Sequence, residues 1–109
     1  MKECIEVKKE MIAPLKIHED LTNRSRAIMS AKNHDYRGGS GDPYHNFKGS
    51  TMFGIHPILG ILLRMQDKMM RIQTFVEKGQ LKVKGENIDD ALLDLINYSV
   101  LIKGIIDEE

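Results

Sequence analysis

The sequence predicts an all-α protein, a small helical bundle with a long ordered loop that is rich in glycine and aromatic residues. Apolar residues recur every three or four positions in several segments, as on helices that bury one face. A further segment, near the end of the chain, is apolar nearly all round, as a buried helix is. With 109 residues, of which 41% are hydrophobic, the chain can form a single domain over residues 1–109.

The first half of the chain predicts one or two helices and then the loop. Residues 2–12 place apolar side chains at helical spacing among charges. Pro14 then ends or kinks this helix, or opens the next one in its first turn. Helical spacing resumes from about 15 to about 33, as a second helix or a continuation of the first. The loop follows, from about 34 to 55.

The second half predicts two longer helices. Pro57 suits the first turn of a helix and Gly79 suits its end, with about 20 residues between them. The apolar positions of this helix are Ile58, Leu62, Met65, Met69, Ile72 and Val76. Residues 80–85 read as a short extended link, and Asn87 can cap a last helix that runs near the C-terminus.

Composition argues against several classes of protein. Lysine plus arginine and aspartate plus glutamate both number 16, so a net charge of zero argues against strong nucleic-acid binding. No apolar run approaches the ~20 residues of a membrane span. The charged N-terminus is unlike a secretory signal, and the one cysteine, Cys4, allows no internal disulfide, so we expect a cytoplasmic protein. Small size and a nearly all-apolar last helix predict a homo-oligomer, at least a dimer.

Residues 32–48, KNHDYRGGSGDPYHNFK, combine cations, aromatic rings and glycines that a simple connector does not need. So long a loop in a small domain is usually functional or disordered, and its aromatic rings argue against disorder. Candidate ligand-binding residues are Lys32, Arg37 and Lys48 for phosphate, Tyr36, Tyr44 and Phe47 for stacking on a base, Asn33 and Asn46 for base edges or sugar hydroxyls, and Asp35 in the same stretch. Its glycines allow backbone to approach a ligand closely.

Polar residues share one face of the last helix. Asp90, Asp94 and Asn97 are spaced by four and three. Asp90 lies in the first turn, where capping and the helix dipole explain an acid. Asp94 lies a turn deeper, where a structural salt bridge and a role in binding a ligand or metal explain it equally well.

The long helix carries a charged stripe made of Arg64, Asp67, Lys68 and Arg71. One interpretation is a solvated face on which Asp67 pairs with Arg71 and Arg64. The other is that Asp67 meets Asp94 and the loop cations across a helix interface. Arg64 or Arg71 would then bind phosphate through two hydrogen bonds.

Three segments of the chain resemble one family. They are AKNHDYRGGSGDPYHNF, GILLRMQDKMMRIQTFVEKG and DDALLDLINYSVLIKG. They resemble the nucleotide modification associated domain family, which is found mainly in bacteriophage genomes, over about residues 30–105. The resemblance implies a role around unusual phage nucleotides, and the host cytoplasm as the location.

The segment DALLDLINYSVL is also similar to the last core helix of the MazG-like all-α nucleoside triphosphate pyrophosphatases. In that family, acids on this helix and on an earlier one bind magnesium. By position, Asp94 matches the second acid of the Glu-x-x-Asp motif, and the first falls on Ala91. Asp90 lies one residue earlier and can substitute, and the earlier Glu-x-x-Glu cluster is reduced to Asp67.

These patterns favour a nucleotide-binding protein without catalytic residues or a cofactor. It would hold a nucleotide or nucleotide-derived small molecule between the loop and the polar stripes of two helices. The ligand would be delivered to modifying enzymes, or a signalling nucleotide would be sequestered. The alternative is a magnesium-dependent pyrophosphatase that uses Asp67, Asp90 and Asp94 as both catalytic and metal-binding residues. A third interpretation is a small oligomeric adaptor that binds no small ligand.

Overall fold

The computed structural model describes residues 13–79 and 87–109, and in these ranges the protein is all-α, as predicted. The elements are α1 (Pro14–Arg37), α2 (His45–Lys48), a 3-10 helix (Gly49–Phe53), α3 (Pro57–Lys78) and α4 (Ile88–Glu108). No strand occurs in these ranges, and none of their helices is long and apolar enough to cross a bilayer. The predicted helix at 2–12 and the predicted link at 80–85 lie outside the described residues.

The first long helix extends further than the sequence analysis predicted. α1 has Pro14 in its first turn and continues to Arg37, whereas the predicted helix ended near residue 33. Residues 34–37 contain neither glycine nor proline, so nothing in them stops a helix. α1 ends at Gly38, whose φ of 55° is a left-handed conformation that glycine adopts readily. The predicted loop of about 34–55 was therefore too long, and α2 and the 3-10 helix occupy much of it.

Both later helices have the predicted end signals. Pro57 lies in the first turn of α3, where Nδ1 of His56 accepts a hydrogen bond from a backbone N–H at 3.1 Å. α3 ends at Gly79, with a φ of 80°. Oδ1 of Asn87 accepts a hydrogen bond from the N–H of Asp90 at 3.2 Å and so caps α4.

The central element is α4. Both α1 and α3 pack against it, and within the described ranges they do not pack against each other. The buried residues of α4 are Ala91, Leu93, Asn97, Leu101 and Ile105. By contrast, α1 fully buries Ser25 alone and α3 fully buries Ile61 alone. This agrees with the apolar composition of α4, although Val100 and Ile106 are still more than half exposed.

Phe47 joins the three long helices. Its side chain is only 3% exposed and forms the core together with Ile61 of α3 and with two residues of α4, Leu101 and Ile105. The ring of Tyr36, from α1, meets it edge-on with centroids 4.8 Å apart. A residue of a four-residue helix therefore lies between α1 and α3, which do not pack against each other in the described ranges.

Ion pairs and a packing contact connect the loop to α4. Nζ of Lys48 lies 2.7 Å from Oδ2 of Asp42 and also forms an ion pair with Glu108. The hydrogen bond from Lys48 lowers the pKa of the Asp42 carboxyl, and the hydrogen bond to Asp42 raises the pKa of Lys48. Tyr44 lies against Gly104, where an added Cβ would be 1.9 Å from the tyrosine hydroxyl oxygen. These contacts connect residues 42–48 with the last turns of α4.

We expect Phe47→Ala to lower the free energy of unfolding by about 3–5 kcal/mol, because it removes a buried ring and leaves a cavity among three helices. Phe53→Ala is the matched control, since the Phe53 ring is 78% exposed; its effect should stay within about 0.5 kcal/mol. Urea unfolding followed by circular dichroism measures both. If Phe47→Ala does not fold, Phe47→Leu should still cost about 1–2 kcal/mol. Equal losses of unfolding free energy in Phe47→Ala and Phe53→Ala would contradict the conclusion that Phe47 joins the three long helices.

Candidate functional site

A groove of about 420 Å³ opens between the 3-10 helix and the first turns of α3. Its volume lies within the range of small-molecule sites, about 300–1,000 Å³. The groove is lined by Asn46, Phe47, Gly49, Ser50, Phe53, Gly60, Ile61, Leu63 and Arg64. Its wall therefore combines apolar side chains with a cation, an amide and a hydroxyl, as ligand sites commonly do.

Arg64 is the cation of this groove. Its guanidinium carbon lies 4.9 Å from the centroid of the Phe47 ring, in a cation–π contact. A cation–π contact is an attraction between the positive charge and the ring, and the guanidinium has five N–H donors that can still bind an acceptor. Arg64 is exposed, and no carboxylate of the described ranges pairs with it. The arrangement suits recognition of an anion.

Phe53 supplies an exposed aromatic ring. The 3-10 helix ends at Gly54, with a φ of 73°, and the ring of the preceding residue is largely in water. Hydrating apolar surface is unfavourable by about 25 cal/mol per Å², so this ring gains free energy when it is covered. A planar base can cover it by stacking.

Small residues shape the floor of the groove. A Cβ added at Gly60 would lie 3.1 Å from Cβ and Oγ of Ser50, so the glycine allows α3 to approach the 3-10 helix closely. Oγ of Ser50 lies within hydrogen-bond distance of the carbonyl oxygens of Phe47 (3.2 Å) and Ile55 (3.1 Å), which fixes this turn. No atom lies within 4 Å of a Cβ added at Gly49, so the groove is open there.

Lys68 and Asp94 form an ion pair between α3 and α4. Nζ of Lys68 lies 3.0 Å from Oδ2 of Asp94, and the two side chains are only 19% and 23% exposed. A partly buried carboxylate needs such a partner, because desolvation disfavours an isolated charge. Asp94 therefore has the cationic partner that the salt-bridge explanation requires.

Tyr36 lies within the electrostatic reach of the same carboxylate. Burial is the main cause that raises the pKa of its phenol above the ordinary value of 10.0, and electrostatic interactions with Tyr98 and with the Asp94 carboxylate add to the effect. The phenol is therefore protonated at neutral pH and can donate a hydrogen bond. Its ring, however, packs edge-on against Phe47 at an interplanar angle of 63°, so it belongs to the core.

The three acids of the pyrophosphatase alternative do not converge. Asp94 pairs with Lys68, Asp67 accepts a hydrogen bond from Nε of Arg71 at 3.4 Å, and Asp90 is exposed at the start of α4. Among residues 13–79 and 87–109, no three histidine, cysteine, aspartate or glutamate side chains are placed to hold a metal ion together. The arrangement does not fit magnesium, which takes several convergent oxygen ligands.

Two of the predicted ligand-binding residues make contacts that shape the loop. The guanidinium of Arg37 donates to the carbonyl oxygen of Gly41 at 2.9 Å, which closes the first turn of the loop. Nδ2 of Asn46 donates to the carbonyl oxygen of Asp35 and so connects α2 to the end of α1. Asn46 also lines the groove, so it contributes to both.

Lys32, Asn33 and Asn97 do not line the groove. Lys32 is exposed and Asn33 half-buried near the end of α1. Asn97 is buried, and its Nδ2 donates to the carbonyl oxygen of Ser25 at 3.0 Å. This hydrogen bond joins α4 to α1, so Asn97 has a structural partner.

A second groove, of about 230 Å³, lies between α1 and α4. Its lining residues are Thr22, Ser25, Arg26, Met29, Ile96, Asn97 and Val100. It contains one cation, Arg26, and no aromatic ring. The groove beside Arg64 therefore offers the better combination for a charged ligand that carries a planar ring.

The comparison with protein families agrees with the resemblance seen in the sequence. A family model described as nucleotide modification associated domain 1 matches residues 32–106, most of the chain. The chain belongs to this family. The matched segment contains the whole groove and the Lys68–Asp94 pair. No curated protein and no solved structure matches the chain.

In this member of the nucleotide modification associated family, six of the nine residues that line the groove were not predicted as site residues from the sequence. They are Gly49, Ser50, Phe53, Gly60, Ile61 and Leu63. The exposure of Phe53 depends on the 3-10 turn that ends at Gly54, and so short a turn leaves no periodic signal in a sequence. One signal could have identified Gly60. It lies within the first turns of a predicted helix, where helix propensity disfavours glycine.

The Lys68–Asp94 pair should show a larger coupling energy than an exposed pair. A double-mutant cycle of alanine variants at both positions should give a coupling energy of about 1–2 kcal/mol, because each single variant leaves a partly buried charge without its partner. The matched control is the exposed Lys103–Asp107 pair on α4, at 2.7 Å, where we expect about 0.5 kcal/mol or less. Denaturant unfolding measures both cycles. Coupling at Lys68–Asp94 no greater than in the control would contradict a structural role.

Proposed function

We propose that this protein binds a nucleotide, or a small molecule derived from one, in the groove beside Arg64 and holds it without hydrolysis. The observation that carries the proposal is an exposed arginine that pairs with no carboxylate of residues 13–79 and 87–109 and lies over the Phe47 ring, in the same groove as the exposed ring of Phe53. The family to which the chain belongs is named for nucleotide modification, which supports a ligand of this class.

Arg64 is the proposed phosphate contact. The contact with Phe47 restricts the guanidinium, so less conformational entropy is lost when it forms two parallel hydrogen bonds to an anion. The other cations of this region are engaged: Lys48 with Asp42 and Glu108, and Lys68 with Asp94. A negatively charged group that enters the groove therefore meets Arg64.

Phe53 is the proposed contact for the base. Stacking of a base on an aromatic side chain contributes about 1–3 kcal/mol and tolerates any base. Asn46, which also lines the groove, has a side-chain carbonyl oxygen that can accept a hydrogen bond from a base or sugar. Binding would therefore depend strongly on the phosphate and the ring, and less on the identity of the base.

The placement of the acids supports retention without hydrolysis. Pyrophosphate release by a metal-dependent route needs oxygen ligands that converge on magnesium. Asp94 and Asp67 instead lie beside cations, and Asp90 is at a helix start. A binder of this kind would deliver a nucleotide to modifying enzymes or sequester a signalling nucleotide.

Calorimetric titration with the four common nucleoside monophosphates and their nucleosides tests the proposal. Arg64→Gln should weaken binding of the tightest monophosphate about tenfold to a hundredfold, and binding of its nucleoside much less, because one charged hydrogen-bond pair is lost. Phe53→Ala should weaken both by about fivefold or more. Arg26→Gln, in the second groove, is the matched control and should bind as the wild type does.

Two outcomes would contradict the proposal. The first is equal affinity for the wild type and Arg64→Gln, or no binding of any nucleotide at millimolar concentration. The second is catalysis: nucleoside triphosphates incubated with the protein and magnesium would release pyrophosphate in excess over the protein, and Asp94→Asn would abolish the release. That result would establish the pyrophosphatase alternative.

A further inference from the structure

One side of α3 exposes several large apolar side chains to water. Six of its large apolar side chains are between 46% and 60% exposed. They are Leu59, Leu62, Leu63, Met69, Met70 and Val76. We call this set the apolar face of α3. The buried residue of the same helix, Ile61, lies on the opposite side, toward α4.

The spacing of these residues makes the face a straight stripe. Leu62, Met69 and Val76 are seven residues apart, as are Leu63 and Met70, and a seven-residue repeat follows one side of an α-helix over many turns. Gln66 and Gln73 are the other residues on this side between residues 59 and 76, and both are neutral. The stripe extends for roughly 25 Å along the helix.

We propose that a second copy of this chain covers the apolar face, with α3 of one copy packed against α3 of the other about a twofold axis. In a twofold interface the same surface of both copies is in contact. A surface with charges of one sign would therefore repel the identical surface of the second copy. The apolar face carries no charge over five turns. Its seven-residue repeat also matches the packing of two helices at a shallow angle.

The exposed area of the apolar face reaches the size that a specific dimer needs. Taking roughly 150 Å² for each large side chain, the six half-exposed residues expose roughly 500 Å² per copy. Two copies would bury roughly 1,000 Å² of these side chains, about the least area of a biological interface. Leu63 also lines the groove, so the second copy would lie along its rim.

Sedimentation equilibrium between 1 and about 100 µM, without nucleotide, tests this association separately from ligand binding. The wild type should sediment at twice the 12.4 kDa mass of the chain. Met69→Lys and Leu62→Lys should each weaken dimerisation at least tenfold, because each places a charge without a partner in an apolar interface. Val100→Lys, at a residue of α4 that is 55% exposed, is the matched control and should dimerise as the wild type does.

Cross-linking gives a second, independent measurement. In a Cys4→Ser background, which removes the one natural cysteine, Gln66→Cys near the middle of the stripe should form a disulfide-linked dimer on mild oxidation. Ser99→Cys, exposed on α4, should not. A monomeric wild type at 100 µM, or a dimer that Met69→Lys and Leu62→Lys leave intact, would overturn the proposal, as would cross-linking only through Ser99→Cys.

Discussion

The burial of Phe47 is the constraint on which the other features of this structure depend. The helices α1 and α3 pack on α4 without packing on each other in the described ranges, and the Phe47 ring contacts residues of all three. Because that ring comes from the loop, the loop cannot move away without opening the core. The buried ring also positions the 3-10 helix that follows, and this helix forms one wall of the groove. The same ring is the surface on which Arg64 stacks.

The cations near the groove differ in their interaction partners. Lys48 pairs with Asp42 within the loop and joins the loop to the end of α4 through Glu108, and Lys68 compensates the partly buried Asp94. The pairs with Glu108 and Asp94 are contacts between elements that are distant in the sequence. Arg64 lies over an aromatic ring and pairs with no acid of the described ranges, so its donors remain available to a ligand. The chain has zero net charge, so in the proposed function one local cation, and not a broad positive surface, binds the anion.

Most of the fold follows from local signals, and most of the site does not. Pro57, Gly79 and Asn87 act within a few residues of themselves, so they predicted the ends of α3 and α4 correctly. The end of α1 was predicted too early because residues 34–37, although rich in polar groups, can continue a helix as far as Gly38. Spacing placed Asp94 on a polar face, but its pairing with Lys68 depends on how α3 is rotated against α4. The exposure of Phe53 and the burial of Phe47 likewise depend on tertiary packing, although both are phenylalanines of the same segment.

The most direct test of the account is to map where a nucleotide binds. Backbone amide spectra of isotopically labelled protein can be recorded while the tightest-binding nucleoside monophosphate is added. If Phe47 holds the loop so that Arg64 and Phe53 form one site, the largest shifts will fall on Gly49, Ser50, Gly60 and Arg64, and they will vanish in Arg64→Gln. Shifts centred on Asp94, or on the 32–37 end of α1, with none in the groove, would contradict the account.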